Sequence, residues 1–171
     1  MDFDGTDFVQ IATPSEIRPT TPQLTIEAWI KPGDLTGTHD IVTEAWCRDF
    51  ALYTVETNAY TRVWTSAGSL ILNSNFSLSL NKWHHLAMTH DGSVLRIYVN
   101  GTLKNSGNRP GSVGNIEAYT KIGASTVGCG STGNYFMGLI DEVRIYNYSL
   151  MAGEIQKHYA EGFKTHQNTL W

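Results

Sequence analysis

Two tight turns that follow each other closely constrain the fold more than any other feature of the sequence. Residues 83–90 alternate bulky with small or polar side chains, residues 91–93 read Asp-Gly-Ser, residues 94–100 alternate again, and Asn100-Gly101 follows. Alternation with a period of two requires a pleated strand. Asp-Gly and Asn-Gly tolerate the positive φ that short hairpin turns demand. The stretch 81–106 therefore predicts three consecutive antiparallel strands.

The alternation in the middle strand also separates an inner face from an outer one. Leu95, Ile97 and Val99 share one face and are predicted to be core, whereas Arg96 and Tyr98 share the other and are predicted to look outward. Elsewhere, segments rich in Val, Ile, Thr, Tyr and Trp are separated by Gly, Asn, Asp and Ser, and only 16% of residues are charged. This composition favours an all-β domain with many turns.

The length of the chain favours a single domain. Its 171 residues suffice for one substantial core and are short for two. Near the end, residues 150–162 predict one short helix, with Gly162 as its C-terminal stop. Residues 163–171 are polar apart from their ends and are predicted to be a linker or tail, so the domain is expected to span residues 1–162.

Charge and hydropathy exclude several classes of partner. The formal net charge is -4 and Lys and Arg do not cluster, which disfavours nucleic acid and anionic membrane surfaces. There is no apolar run long enough to insert into a bilayer, and no signal peptide pattern. We therefore expect either a cytosolic protein or a domain of a longer secreted chain, and we favour the second. Cys47 and Cys129 are compatible with a disulfide or with two free thiols.

A series of motifs extends along nearly the whole chain. They are residues 3–9 (FDGTDFV), 24–32 (LTIEAWIKP), 83–87 (WHHLA) with Asp91-Gly92, 95–101 (LRIYVNG), and 138–146 (GLIDEVRIY) with Glu154-Ile155. In this order they resemble the laminin G-like branch of the concanavalin A-like lectin/glucanase superfamily. The resemblance implies a jelly-roll β-sandwich of two antiparallel sheets with the short C-terminal helix.

The resemblance also implies a setting and a set of roles. Such domains usually occur in extracellular or cell-surface multidomain proteins, where they bind carbohydrate, mediate adhesion or accompany a catalytic domain. The implied partners are a polysaccharide or cell-surface glycan and other domains of a parent chain. Because a fold does not fix a function, a protein adhesion or spacer module without a sugar site stays open as an alternative.

A structural calcium ion is a further implication of the resemblance. Domains of this kind often bind Ca²⁺ at a rim, and Asp4 and Asp141 would approach each other if the first and last strands pair. Carboxylates with loop carbonyls suit Ca²⁺ far better than transition metals. The alternative for the segment 4–7 is a turn stabilised by aspartate without an ion.

Sugar binding requires aromatic rings that cover the apolar faces of pyranose units and polar side chains that bond to hydroxyl groups. Aromatic and polar residues of both kinds concentrate in the middle strands and loops and after the glycine-rich connection. The candidate ligand-binding residues are Trp46, Arg48, Asp49, Tyr53, Tyr60, Arg62, Trp64, Asn134 and Tyr135.

Catalysis is not predicted. A glycosidase needs two carboxylates that flank the scissile bond, and no predicted strand carries Glu-x-Asp or Glu-x-Glu. Asp141 and Glu142 are adjacent, so an unbroken strand would point them to opposite faces, although a bulge weakens that objection. A polysaccharide hydrolase or lyase would require Glu142, Glu44 or Glu56 to meet a second carboxylate across strands. The sequence therefore predicts a non-catalytic, lectin-like carbohydrate-binding module.

Overall fold

The computed structural model describes residues 1–12, 22–45, 50–113, 119–127 and 131–167, which include fourteen strands and one helix. The strands are β1 (Asp2–Asp4), β2 (Val9–Ala12), β3 (Gln23–Pro32), β4 (Thr38–Ala45), β5 (Phe50–Val55), β6 (Asn58–Thr65), β7 (Gly68–Ser77), β8 (His84–Asp91), β9 (Val94–Val99), β10 (Thr102–Asn108), β11 (Tyr119–Ile122), β12 (Ser125–Val127), β13 (Ser131–Gly133) and β14 (Met137–Tyr146). The helix is α1 (Ala152–Gln167).

Two six-stranded antiparallel sheets form the predicted jelly-roll sandwich. Sheet 1 has the order β1-β14-β3-β8-β9-β10, and sheet 2 has the order β2-β11-β4-β5-β6-β7. Their inner faces enclose one hydrophobic cluster that takes Ile26, Ala28 and Ile30 from β3 and Leu52 and Val63 from sheet 2. The all-β fold class with one C-terminal helix is therefore confirmed.

The two turns at the centre of the sequence have the predicted geometry. Gly92 and Asn100 have φ angles of 93° and 51°, and β8, β9 and β10 pair in succession. Leu95, Ile97 and Val99 are buried in the core as predicted. Tyr98, however, does not look outward to solvent, because α1 packs on the outer face of sheet 1 and leaves this residue only 2% exposed.

The C-terminal helix is longer than its sequence predicts. Gly162 does not end it: α1 continues to Gln167, and the glycine lies against the ring of Trp29. The predicted tail thus begins with helical residues, and within them the His166 ring stacks on Trp29 with a centroid separation of 4.4 Å. At the other end, Glu154 Oε2 accepts a hydrogen bond of 2.7 Å from the Met151 backbone N–H and caps the first turn.

The last strand contains a bulge. The register between β14 and β3 shifts between Asp141 and Arg144, and Glu142 has a φ of 46°. The extra residue in β14 explains why Ile140 and Val143 both contact the core although they have opposite parity.

Among the described residues, no helix combines the length and the apolar character that crossing a membrane requires.

Candidate functional site

A polar cleft lies on the outer face of sheet 2, where side chains of neighbouring strands align in rows. The first row runs through Asp40, Tyr53, Tyr60 and Asn73, which are paired in register across β4 to β7. The rings of Tyr53 and Tyr60 stack with a centroid separation of 5.5 Å. Asn73 Nδ2 donates a hydrogen bond of 2.9 Å to the Tyr60 hydroxyl. These contacts fix an aromatic pair beside a carboxylate.

The second row supplies the depression itself. Thr43, Ala51 and Arg62 are register partners on β4, β5 and β6. Because Ala51 has a short side chain between larger neighbours, the row is lowest there. The resulting cleft has a volume of about 280 Å³. Its lining residues are Thr38, Asp40, Thr43, Glu44, Ala51, Tyr53, Arg62, Ser125, Thr126 and Asn134.

The small hairpin of β12 and β13 forms one wall of the cleft. Ser125 and Thr126 belong to β12, and Asn134 follows β13. The Asp40 backbone N–H donates a hydrogen bond of 2.8 Å to the Asn134 carbonyl, which attaches this wall to β4. The side chains of Ser125 and Asn134 lie beside the Asp40 carboxylate and line the cleft with it. The hairpin thus holds hydroxyl and amide groups beside a buried acid.

The electrostatics of the cleft combine a buried acid with a cation. Asp40 is only 5% exposed, and burial raises the pKa of its carboxyl group, although the Ser125 and Asn134 hydrogen bonds and the positive charge of Arg62 oppose this. Burial also raises the pKa of Tyr53 to about 12. Arg62 Nε is buried and has no hydrogen-bond partner within the described chain. The cleft therefore offers acceptors, donors and an aromatic wall.

The structure brings together part of the predicted ligand-binding set. Tyr53, Arg62 and Asn134 line the cleft, and Tyr60 stacks on Tyr53 at its edge. Trp64 lies two residues beyond Arg62 on the same face of β6, opposite Ser69.

The other predicted residues are separate or outside the described part of the chain. Tyr135 does not line the cleft: its ring lies 6.4 Å from that of Phe8, and its carbonyl lies 2.7 Å from His39 Nδ1. Trp46, Arg48 and Asp49 fall outside the described residues, as do Cys47 and Cys129.

The most buried acid of the cleft was missed by sequence reasoning. The alternation predicts a strand that begins at Ile41, which leaves Asp40 in a loop, whereas β4 begins at Thr38. A register shift between Asp40 and Val42 breaks the period of two and turns Asp40 outward beside Tyr53. The only signal in the sequence was an aspartate directly before Ile41 and Val42.

The residues predicted to hold calcium do not fit a shared site. β1 and β14 do pair as predicted, but the register places Asp4 opposite Met137. Met137 is four residues before Asp141, a distance of about 13 Å along a strand. Asp4 Oδ1 instead accepts hydrogen bonds from the Thr6 backbone N–H at 2.8 Å and the Thr6 hydroxyl at 2.7 Å. Asp4 thus stabilises a turn, and calcium binding itself stays a prediction.

The two six-stranded antiparallel sheets define the class of the fold as a jelly-roll β-sandwich. Residues 3–156 match the family described as the Concanavalin A-like lectin/glucanases superfamily, so the chain belongs to this family. None of the curated proteins compared with the sequence matches it.

Solved structures share the fold at low sequence identity. The heptameric SAP-like pentraxin of Limulus polyphemus has a TM-score of 0.70 at 17% identity, with 91% of this chain and 78% of the pentraxin covered. The binding domain of Paraclostridial Mosquitocidal Protein 1 has a TM-score of 0.70 at 15% identity, with 91% of this chain and 41% of the other covered.

A botulinum neurotoxin type C structure, described as dependent on two ganglioside molecules for cell entry, has a TM-score of 0.65 at 13% identity, with 90% and 39% covered. The chain thus spans about two fifths of the toxin structures that it resembles.

Proposed function

We propose that this chain is a non-catalytic carbohydrate-binding module and that the cleft on sheet 2 is its saccharide site. The observation that carries the proposal is the arrangement of Asp40, Arg62 and Tyr53 around a floor made by Ala51. A saccharide hydroxyl both donates and accepts hydrogen bonds, so it can donate to the carboxylate and accept from the guanidinium. The ring of Tyr53 offers the apolar contact that pyranose faces need.

The character of the ligand follows from the same groups. Asp40 and Arg62 have opposite charges and both line the cleft, where Arg62 Nε has no hydrogen-bond partner within the described chain. We therefore propose a polysaccharide or a cell-surface glycan as the partner, in an extracellular or cell-surface setting. The type C neurotoxin, whose cell entry depends on interaction with two ganglioside molecules, supports the class of partner by analogy of fold alone.

A polysaccharide hydrolase is less well supported by the positions of the three glutamates that it would use. Glu44 borders the cleft and pairs with Thr120 of β11. It lies two residues after the core residue Val42, so β4 turns its side chain toward the inner face of sheet 2, whereas Asp40 points outward. Glu56 Oε1 accepts a hydrogen bond of 3.1 Å from the Gly37 backbone N–H. Glu142 forms an ion pair of 3.0 Å with Arg144. These contacts favour binding over hydrolysis.

Titration calorimetry against soluble gluco-, xylo-, manno- and galacto-oligosaccharides and ganglioside head-group oligosaccharides tests the proposal. The series is run in calcium and again in EDTA. We expect at least one saccharide to bind and Arg62→Gln to weaken its binding at least tenfold, which corresponds to about 1.4 kcal/mol. Trp64→Ala tests whether the site extends along β6.

Arg96→Gln is the matched control, because Arg96 also lies half-buried beside an aspartate, Asp91 at 2.6 Å, but on sheet 1. It should leave the affinity unchanged. If the folded protein binds none of these saccharides, the proposal is wrong and a protein adhesion or spacer module becomes the better interpretation. Release of reducing sugar would instead support a hydrolase.

A further inference from the structure

Lys121 is a buried cation directly behind the hairpin wall of the cleft. It lies on the outer face of β11, opposite Thr43 of β4, and is only 5% exposed. Its Nζ donates to Thr132 Oγ1 at 2.8 Å and to Thr126 Oγ1 at 3.1 Å, and lies 5.0 Å from the centre of the Phe8 ring. No described carboxylate forms an ion pair with it. Burial accordingly lowers the pKa of this lysine.

A charge buried in this way needs a reason, because an ammonium group without a paired anion is costly to remove from water. The two threonine hydroxyls are the hydrogen-bonding groups that meet it, and they come from different strands of one hairpin: Thr126 from β12 and Thr132 from β13. Two-stranded hairpins are marginally stable alone. Lys121 therefore pins both strands of this hairpin to sheet 2.

The chemistry of the ammonium group also fixes the direction of these hydrogen bonds. An ammonium group has donors only, so each threonine oxygen must accept, and the single hydrogen of each hydroxyl remains for another partner. Thr126 lines the cleft, whereas Thr132 does not. The Thr126 hydroxyl is thus an acceptor toward Lys121 and a donor available to the cleft.

We propose that Lys121 is a positioning residue of the saccharide site: it holds the β12–β13 wall in place and makes Thr126 a hydrogen-bond donor to the bound saccharide. This inference rests on the proposed function. A hydroxyl that accepts from a cation in a low-dielectric site is a stronger donor, because chains of hydrogen bonds polarise one another. Thr126 and Arg62 then supply donors to the cleft, while Asp40 supplies acceptors.

Four single variants, Lys121→Met, Lys121→Arg, Thr126→Val and Thr132→Val, test the proposal together with the double variant that combines Lys121→Met and Thr126→Val. Lys121→Met removes the donors, Thr126→Val removes the hydroxyl in the cleft, and Thr132→Val removes only the second attachment of the hairpin. Affinity is measured by calorimetry with the oligosaccharide of the panel above that binds the native protein most tightly. Hydrogen exchange of residues 125–133 reports the hairpin without any ligand.

We expect Lys121→Met and Thr126→Val each to weaken binding about tenfold, and the double variant to be no weaker than Lys121→Met, since both remove the same chain of bonds. Thr132→Val should accelerate exchange but weaken binding by less than about threefold. Lys121→Arg, which keeps a cation with donors only, should recover part of the affinity.

Lys104→Met is the matched control, because Lys104 also lies over an aromatic ring, that of Phe76 at 4.8 Å, but on β10. It should change neither affinity nor exchange of the hairpin. Unchanged affinity and exchange in Lys121→Met would overturn the proposal, as would multiplicative effects in the double variant. If the native protein binds no saccharide, the proposed function and the donor role fail together. Faster exchange in Lys121→Met would then still support the role of Lys121 in attaching the β12–β13 hairpin to sheet 2. Unchanged exchange would overturn that role as well.

Discussion

Gly162 of α1 lies directly against the indole ring of Trp29 in β3, with no space for a side chain between them. A Cβ at position 162 would lie 2.7 Å from Cε2 and 2.9 Å from Cζ2 of that ring. The indole cannot move away, because it is fully buried and stacked between Tyr159 and His166. The helix therefore approaches sheet 1 this closely only because residue 162 is glycine.

Gly162→Ala should therefore destabilise the protein. Overpacking of a filled site costs about 1–3 kcal/mol, which exceeds the gain of about 1 kcal/mol from the better helix propensity of alanine. Urea unfolding measures the difference. Gly153→Ala is the matched control in the same helix, because a Cβ there meets nothing within 4 Å, and it should stabilise by up to about 1 kcal/mol. Equal effects of the two substitutions would contradict the packing argument.

A second contact between α1 and sheet 1 is ionic. Glu27 of β3 is only 1% exposed, and its Oε1 lies 2.8 Å from His158 Nδ1 of the helix. Arg144 Nη1 and the Tyr146 hydroxyl reach the same oxygen at 3.4 and 3.3 Å, and His85 Nε2 lies 3.4 Å from Oε2. Burial acts to raise the pKa of Glu27, but the hydrogen bonds and charges of the two histidines together outweigh it, and the pKa is lowered.

This lowered pKa predicts a specific loss of stability in acid. Since the folded pKa of Glu27 lies below its ordinary value of 4.5, its contribution is complete above pH 4.5 and is lost as the pH falls through the folded value. Glu27→Gln should cost roughly 2 kcal/mol at pH 7, because the buried hydrogen bonds with His158, Arg144 and Tyr146 lose their charged acceptor.

The free-energy gap between native and variant protein should then shrink as the pH falls below 4.5, as measured by urea unfolding between pH 3 and 7. Asp4→Asn is the control, because that carboxylate also has a lowered pKa but is fully exposed. It should change stability little. A gap for Glu27→Gln that stays constant with pH would contradict the ionic role of Glu27.

The fold could be predicted from the sequence because its signals are local. The Asp91-Gly92 and Asn100-Gly101 turns and the alternation between them fix three neighbouring strands without reference to the rest of the chain. The burial of Tyr98 and the course of α1 past Gly162 could not be predicted in this way. Both depend on which face of sheet 1 the helix covers, and that is a contact between distant segments.

The cleft was predictable only in part for the same reason. Tyr53, Tyr60 and Arg62 belong to one hairpin, so their parity places them on one face. Asp40 reaches them only through the irregular register of β4. Lys121 of β11 and Thr126 of β12 meet because β11 and the hairpin that follows it fold together. The alternation of apolar residues gives no indication of that contact.

The ionisation of Tyr53 offers a spectroscopic test of the cleft. Its pKa is raised to about 12 from an ordinary value of 10, chiefly because the phenol is buried beside Asp40. An unfolded tyrosine ionises first, so this residue should reduce the stability of the folded protein as the pH rises above 10. Tyr53→Phe should remove one phenolate transition near pH 12 in absorbance at 295 nm. Loss of a transition near pH 10 instead would show that the phenol is not buried.

Asp40→Asn should separate binding from stability. Burial raises the pKa of Asp40, so at neutral pH the folded state bears the cost of keeping this carboxylate ionised, and an amide of the same shape avoids it. We expect Asp40→Asn to leave the free energy of unfolding unchanged or increase it, while saccharide affinity falls at least tenfold because a charged acceptor is lost.

Asp91→Asn should give the opposite pattern, since Asp91 has a lowered pKa, pairs with Arg96 at 2.6 Å and lies on sheet 1 away from the cleft. It should lose stability and keep its affinity. Calorimetry and urea unfolding on the same two variants decide the matter. If Asp40→Asn were destabilised yet bound as tightly as the native protein, Asp40 would be a structural residue and the saccharide site would lie elsewhere.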